Sequence, residues 1–436
     1  KNNGHGTNPF SRAYNELVFL DVISPRKVEE SESSEDEDSG KDEKVKSSKP
    51  KQKTLRQMKA LTGDNPKQLQ RSMSAFDMDG LDIDSVLKER QLKKKHSKDR
   101  FGSDEYITKE ISATLDNPDG EEFHYDPKSP RASFIASCMV DGLIPLSKAV
   151  LRKGLSSTLD MSGQGLGETR IMSLVDALDK MPFLRIVNFA SNRLGDIALT
   201  ALLKSIRKLP NIVDINLSGN SLGKIGAGEL GAYLKSRKCP LRRLTLENAG
   251  VNDNEAVMLI QSLEKNPTLE ELNLASNALG SNEIENVINQ DCVTAGEALG
   301  QLLKANKCPL NRIDISWNMV RLGGAVELCQ SLASNTMLRN VNFGDNALKR
   351  DAGVELGGAL MSNKTIESLS IRNCGIDAIA FTVIGVALRL HPKLKKINVS
   401  DNPLGEQGLR VAIDLFTWHP EIDLNILSCS PPSGAP

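Results

Sequence analysis

One slot governs the chain. The asparagine of "NFASNRLG", Asn192, returns at fixed intervals as Asn220, Ala249, Asn277, Asn318, Asn346, Cys374 and Asn402, with Gln164 one copy earlier. The steps are 28, 28, 29, 28, 41, 28, 28 and 28 residues, and a last half-copy, "DLNILSC", ends at Cys429. A period of this length is one supersecondary unit per copy, which cannot bury its apolar face alone and must stack on its neighbours. One copy shows the pattern L-x-x-L-x-L-x-x-N-x-L-G: Leu269, Leu272, Leu274, Asn277, Leu279 and Gly280. The alternation of Leu272 and Leu274 predicts a short strand with one buried face. The asparagine predicts a tight turn whose amide satisfies main-chain groups of neighbouring turns. The stretch that follows, such as "AGELGAYLKSRK", has helical spacing through Leu230 and Leu234. A proline closes it in most copies (Pro182, Pro210, Pro240, Pro267, Pro309, Pro392, Pro420) and sends the chain back to the next strand.

A strand and a helix every 28 residues resemble the ribonuclease-inhibitor type of leucine-rich repeat over about residues 155–429. The resemblance implies an α/β leucine-rich-repeat solenoid, or horseshoe, of about nine to ten strand–helix repeats, with parallel strands on the concave face and helices outside. Just upstream, the segment beginning at Ser133 has an aromatic-x-x-x-Cys, then Pro, then Leu pattern: Phe134, Cys138, Pro145 and Leu151. It resembles the N-terminal cap of axonemal leucine-rich-repeat proteins, among them the T-complex-associated testis-expressed family of the nexin–dynein regulatory complex. The insertion-bearing form also resembles long, uncharacterised leucine-rich-repeat proteins of protists. These resemblances imply a helical cap over residues 133–154 and a cytoskeletal or flagellar setting.

Residues 1–132 have a different composition. Glu29 to Lys53, "EESESSEDEDSGKDEKVKSSKPKQK", has almost no apolar residue. It cannot bury enough surface to offset the entropy of ordering, so a largely disordered, charged arm is expected. A short tail, 430–436, follows the repeats. "AFDMDGLDID" fails as a calcium loop: with Gly80 at the sixth position, Ala75 stands first and Val86 twelfth, where the strongest ligands belong. The basic run Lys88 to Arg100 reads as a solvated charge run. Arm serines Ser24, Ser33, Ser34, Ser74 and Ser129 stand in kinase-type contexts and are expected phosphorylation sites.

The net charge of −1 argues against a nucleic-acid or membrane partner. Seven cysteines, an odd number without C-x-x-C spacing, argue against a disulfide framework and a zinc site, and for a reducing compartment. No signal-peptide pattern and no apolar run of about 18 residues are present. A cytoplasmic monomer is expected.

No catalytic residue, cofactor or metal is expected either, because no G-x-S-x-G, H-E-x-x-H or P-loop occurs. His391 and His419 fill a helix-ending slot that other copies fill with Asn266, Cys239 or Leu209, which makes the slot structural. Cys374 reads as a buried turn residue. The side chains between the strand leucines are short and polar, and Glu247 and Arg372 break that run as the best specific contacts on the concave face. The 41-residue step carries an insertion, Ser281 to Val293, expected as a self-contained loop on the rim. Ile284, Val287 and Ile288 predict a helical turn in it, Glu283, Glu285 and Asp291 make it acidic, and Thr294 with Glu297 predicts a capping box behind it. In the next copy Trp317 fills a slot held elsewhere by Ser191, Gly219, Asn248, Ser276, Asp345, Asn373 and Asp401. A tryptophan there needs the insertion or a partner to pack against.

The expected function is a non-enzymatic scaffold that binds a protein partner. Two rivals share repeats of this type. One is the Ran-type GTPase-activating regulators, whose acidic block follows the repeats whereas here it precedes them. The other is the innate-immune sensors, which add a nucleotide-binding module.

Overall fold

The structure is a computed structural model that describes residues 129–146, 156–289 and 292–429, all within the compact unit Glu89–Pro436. Ten three-residue strands form one parallel sheet in chain order: β1 (Thr158–Asp160), β2 (Ile186–Asn188), β3 (Asp214–Asn216), β4 (Arg243–Thr245), β5 (Glu271–Asn273), β6 (Arg312–Asp314), β7 (Asn340–Asn342), β8 (Ser368–Ser370), β9 (Lys396–Asn398) and β10 (Asp423–Asn425). The middle residue of each strand, from Leu159 to Leu424, is buried, and its two neighbours face outward.

A helix returns the chain after each of the first nine strands: α2 (Gly167–Leu178), α3 (Asp196–Ile206), α4 (Lys224–Leu234), α5 (Asp253–Leu263), then α7 (Ala295–Ala305), α8 (Leu322–Ser331), α9 (Lys349–Ser362), α10 (Ala378–Leu390) and α11 (Gly405–Trp418). Helix α1 (Pro130–Val140) covers the start of the array. It begins ahead of Ser133, because the Ser129 hydroxyl caps it by accepting the Ala132 N–H at 3.1 Å and Pro130 occupies the first turn. Phe134 and Cys138 of α1 are buried in the common core. The arm serines Ser24, Ser33, Ser34 and Ser74 lie outside the described residues.

The asparagine slot is a hydrogen-bond ladder. Asn192 Oδ1 accepts the N–H of Gln164 at 3.0 Å, and its Nδ2 donates to Met161 O at 2.8 Å in the preceding copy. Asn220, Asn277, Asn318, Asn346 and Asn402 repeat the pattern. Cys374 keeps half of it: its thiol donates to Phe343 O at 3.1 Å, and burial pushes its pKa up to about 12. A second ladder runs at the helix ends. Asn266, Asn335 and Asn363 accept N–H groups two and three residues ahead, and His391 does the same through Nδ1, from Lys393 at 3.3 Å and Leu394 at 3.0 Å.

Candidate functional site: the rim around the insertion

The insertion folds as a six-residue helix, α6 (Glu283–Ile288), and is wired into the array. Asp253, the first residue of α5, is fully buried. Its carboxylate accepts the N–H groups of Gly280 at 2.8 Å, Asn282 at 2.7 Å and Ala295 at 2.9 Å. Asp196, the first residue of α3, holds the start of α4 in the same way, through Gly223, Ile225 and Gly226. Asn282 and Ala295 therefore stand in for one position of an ordinary repeat, and the insertion lies between them. The asparagine ladder passes underneath without a break: Leu279 N–H donates to Asn318 Oδ1 at 3.0 Å. Gly280, at φ +88°, lies against the Met319 carbonyl, where a side chain would collide.

The expectation of a self-contained acidic loop is corrected at Glu283. Asp196 and Asp253 stand four residues past their repeat slots at Asn192 and Ala249; the corresponding place before α7 is Thr294, whose hydroxyl caps α7 and whose partner Glu297 completes the capping box. No carboxylate is left at that place to receive the start of α8. Glu283 supplies a carboxyl oxygen instead: its Oε2 accepts the Gly324 N–H at 3.3 Å, the counterpart of the Gly226 N–H on Asp196. Glu283 is thus 0% exposed and turned inward, so it is not part of an outward acidic surface. Glu285 is exposed; Asp291 lies outside the described residues.

What α6 does present outward is apolar. Ile284, Val287 and Ile288 are 61%, 65% and 84% exposed. Next to the insertion, repeat six exposes three more large apolar side chains, Trp317, Met319 and Leu322. Trp317 is 58% exposed, so the insertion does not cover it. Its slot has a common backbone: Ser191, Asn248, Ser276, Asp345, Asn373, Asp401 and Gly219 all have φ between +48° and +65°. Small, polar or glycine residues fill the slot because the left-handed region is costly for bulky side chains. Trp317 adopts φ +55° and Leu322 φ +48° despite their size. Strain of this kind costs roughly 1–3 kcal/mol per residue and concentrates where side chains are held for a ligand. Trp317 stands out in the sequence by its slot, whereas Met319, Leu322 and Asp253 do not. The shared spacing of Asp196 and Asp253 from their repeat slots was the one available signal for Asp253.

Charges on the strands pair across the sheet, Arg243 with Asp214 at 2.8 Å and Arg312 with Glu271 at 4.0 Å; just ahead of the strands, Arg242 pairs with Glu270 at 3.0 Å and Arg339 with Glu367 at 2.8 Å. Arg372 is held between Asp401 at 2.6 Å and Asp345 at 3.6 Å, and both carboxylates raise its pKa further. Glu247 is exposed on the same side. A groove of about 390 Å³ crosses strands β4 to β8, with Arg243, Glu271, Arg312 and Asp314 in its wall. Among the described residues no group of His, Cys, Asp or Glu side chains is placed to hold a metal ion, and no helix is long and apolar enough to cross a membrane.

The chain is similar to several known proteins. A family model described as "Leucine Rich repeat" matches residues 265–282. The mouse (Mus musculus) ribonuclease inhibitor is 27% identical over 178 residues, which is 41% of this chain and 36% of that protein. The human (Homo sapiens) NACHT, LRR and PYD domains-containing protein 14 is 26% identical over 209 residues, 47% of this chain and 18% of that protein. The aligned parts thus span well under half the length of either relative. Among solved structures, an internalin from Listeria monocytogenes aligns with 68% of this chain and 95% of its own at 14% identity, with a TM-score of 0.31. The described residues form an α/β solenoid of ten parallel strands, similar to leucine-rich-repeat proteins.

Proposed function

We propose that this chain is a non-enzymatic protein-binding scaffold whose recognition surface is the apolar rim formed by α6 and the turn of repeat six. The observation that carries the reading is Trp317, a large side chain kept in a left-handed turn slot and left 58% exposed. Neither core packing nor backbone preference accounts for it, whereas a buried aromatic anchor at an interface would. Loops that leave a rigid repeat array are where such scaffolds place recognition. The similarity to ribonuclease inhibitors, whose name describes a protein acting on a protein, supports the same class.

A second reading places the partner on the groove side, with Glu247 and Arg372 as contacts. The groove over β4 to β8 favours it; the engagement of Arg372 by Asp345 and Asp401 weighs against it. Capture of partners by the wild-type chain, by Trp317→Asn, by Ile288→Asp and by Glu247→Ala, compared by quantitative mass spectrometry, separates the two. Loss with the first two variants alone supports the rim, and loss with Glu247→Ala alone supports the groove.

The proposal extends to setting and control. Axonemal or cytoskeletal anchoring rests on the cap residues Phe134, Cys138 and Pro145, and is tested by localising the tagged chain in flagellated cells. Phosphorylation of Ser24, Ser33, Ser34, Ser74 and Ser129 is proposed from their sequence contexts and tested by phosphopeptide mapping of native protein. At Ser129 the phosphate would sit at the N-terminus of α1, where negative charge is favoured.

A further inference from the structure

Asp253 fixes the ends of the insertion and Asn286 ties α6 to Glu297 at 3.1 Å, while Glu283 is the α6 side chain that bonds the start of α8. Glu283 reaches inward, accepts the Gly324 N–H, and leaves its second oxygen, Oε1, buried without a partner. The groups that face it are named by the elements around it. From α5 comes Asp253, which already receives three backbone N–H groups. From α7 comes Glu297, engaged with Thr294 N–H and with the Asn286 amide. From the start of α8 come the backbone N–H groups of Arg321 and Gly324. Within α6 itself Glu285 adds a further negative charge, turned outward. Three carboxylates thus converge on a site whose described partners are backbone N–H groups and an amide.

We infer that a proton on Glu283 is the latch of this helix: protonated, the carboxyl docks α6 on α8; ionised, it weakens the docking and loosens the apolar rim. A protonated carboxyl fits the site better because its O–H needs no counter-charge beside Asp253 and Glu297, whereas a carboxylate there must be buried among like charges. Burial first, and then the charges of Asp253 and Glu297 against the opposing N–H groups, pushes the Glu283 pKa up to about 7. A group that binds its proton more tightly when docked contributes its full stabilisation below the undocked value near 4.5, and loses it as pH rises to about 7. The window falls across neutrality, so a modest change in pH alters how Ile284, Val287 and Ile288 are presented.

This inference concerns regulation of the rim and rests on the reading of that rim as a recognition surface. Its test does not need the partner. Hydrogen exchange of the free chain, corrected for intrinsic rates, is followed for α6 and for the start of α8 at about pH 5.5 and about pH 8, with α4 as internal reference. Protection of α6 and Gly324 is expected to fall about tenfold or more at the higher pH. Glu283→Gln, which keeps an acceptor for Gly324 but cannot ionise, is expected to hold its protection at both. Glu297→Gln, which preserves the capping box and removes one neighbouring charge, is expected to move the transition to lower pH. Equal wild-type protection at the two values, or the same fall in Glu283→Gln, would overturn the latch. An unmoved transition in Glu297→Gln would overturn the assignment to this carboxylate cluster. If exchange behaves as expected but Ile288→Asp leaves partner capture unchanged, the recognition reading fails and the latch stands.

Discussion

Ala295 donates its backbone N–H to Asp253 Oδ1 at 2.9 Å, 42 residues away in the chain. Asn282 reaches the other oxygen of the same carboxylate at 2.7 Å, so one buried aspartate holds both ends of the insertion. The thirteen added residues are therefore spliced into a single position of the repeat, and the repeat pays no break in its asparagine ladder for them.

That arrangement fixes what removal should do. Deleting Ser281–Val293 restores a 28-residue step but takes the Glu283 carboxyl group away from Gly324. The deleted chain is expected to fold with a loss of about 1–3 kcal/mol, the usual cost of a buried donor left without its partner. Adding Thr294→Asp, which puts an aspartate four residues past the slot as in Asp196 and Asp253, is expected to recover most of it. Denaturant midpoints of the three chains measure both effects. A deletion as stable as wild type would show that Glu283 contributes nothing to the cap.

His391 should make the array sensitive to acid. Its Nδ1 accepts two backbone N–H groups, so the ring is neutral with its proton on Nε2, and burial lowers its pKa below 6.5. The unfolded chain binds this proton more readily, so stability is lost as pH falls through about 6.5. His391→Asn supplies the acceptor used at Asn266, Asn335 and Asn363 without a titrating group. Its melting temperature is expected to fall less than that of wild type between pH 7 and about pH 5. Parallel pH profiles of the two proteins would refute this role.

Cys374 offers a test of the ladder itself. Cys374→Ala removes the donor to Phe343 O, and is expected to cost about 1–3 kcal/mol. Cys374→Asn restores the side chain used in six other copies and should be neutral or stabilising. Thermal melts of both variants decide the matter; an alanine variant as stable as wild type would mean that the thiol is a spacer.

The repeat, with its strand and helix, is legible because it depends on local periodicity that nine copies show, and the capping box at Thr294 because its two residues stand three apart in the chain. The i, i+3, i+4 spacing of Ile284, Val287 and Ile288 predicts a helical turn, whereas their exposure is a finding of the structure. Glu283 was misread as a surface acid because its partner, Gly324, lies 41 residues away and the need for a carboxylate arises only when α8 stacks on α7. Trp317 stood out as an odd residue in its slot. The reason that the slot excludes large side chains, a left-handed backbone in every copy, became visible only in the dihedral angles.

The most direct test of the recognition surface is a paired measurement on Trp317→Asn. Asparagine suits the left-handed slot, so relief of strain is expected to stabilise the chain by about 1 kcal/mol. Losing an aromatic anchor is expected to weaken binding to the captured partner by about 2 kcal/mol or more. A variant that melts higher and binds more weakly is the expected result. A variant that melts lower while binding as tightly as wild type would contradict it, and would make Trp317 a structural plug rather than a contact.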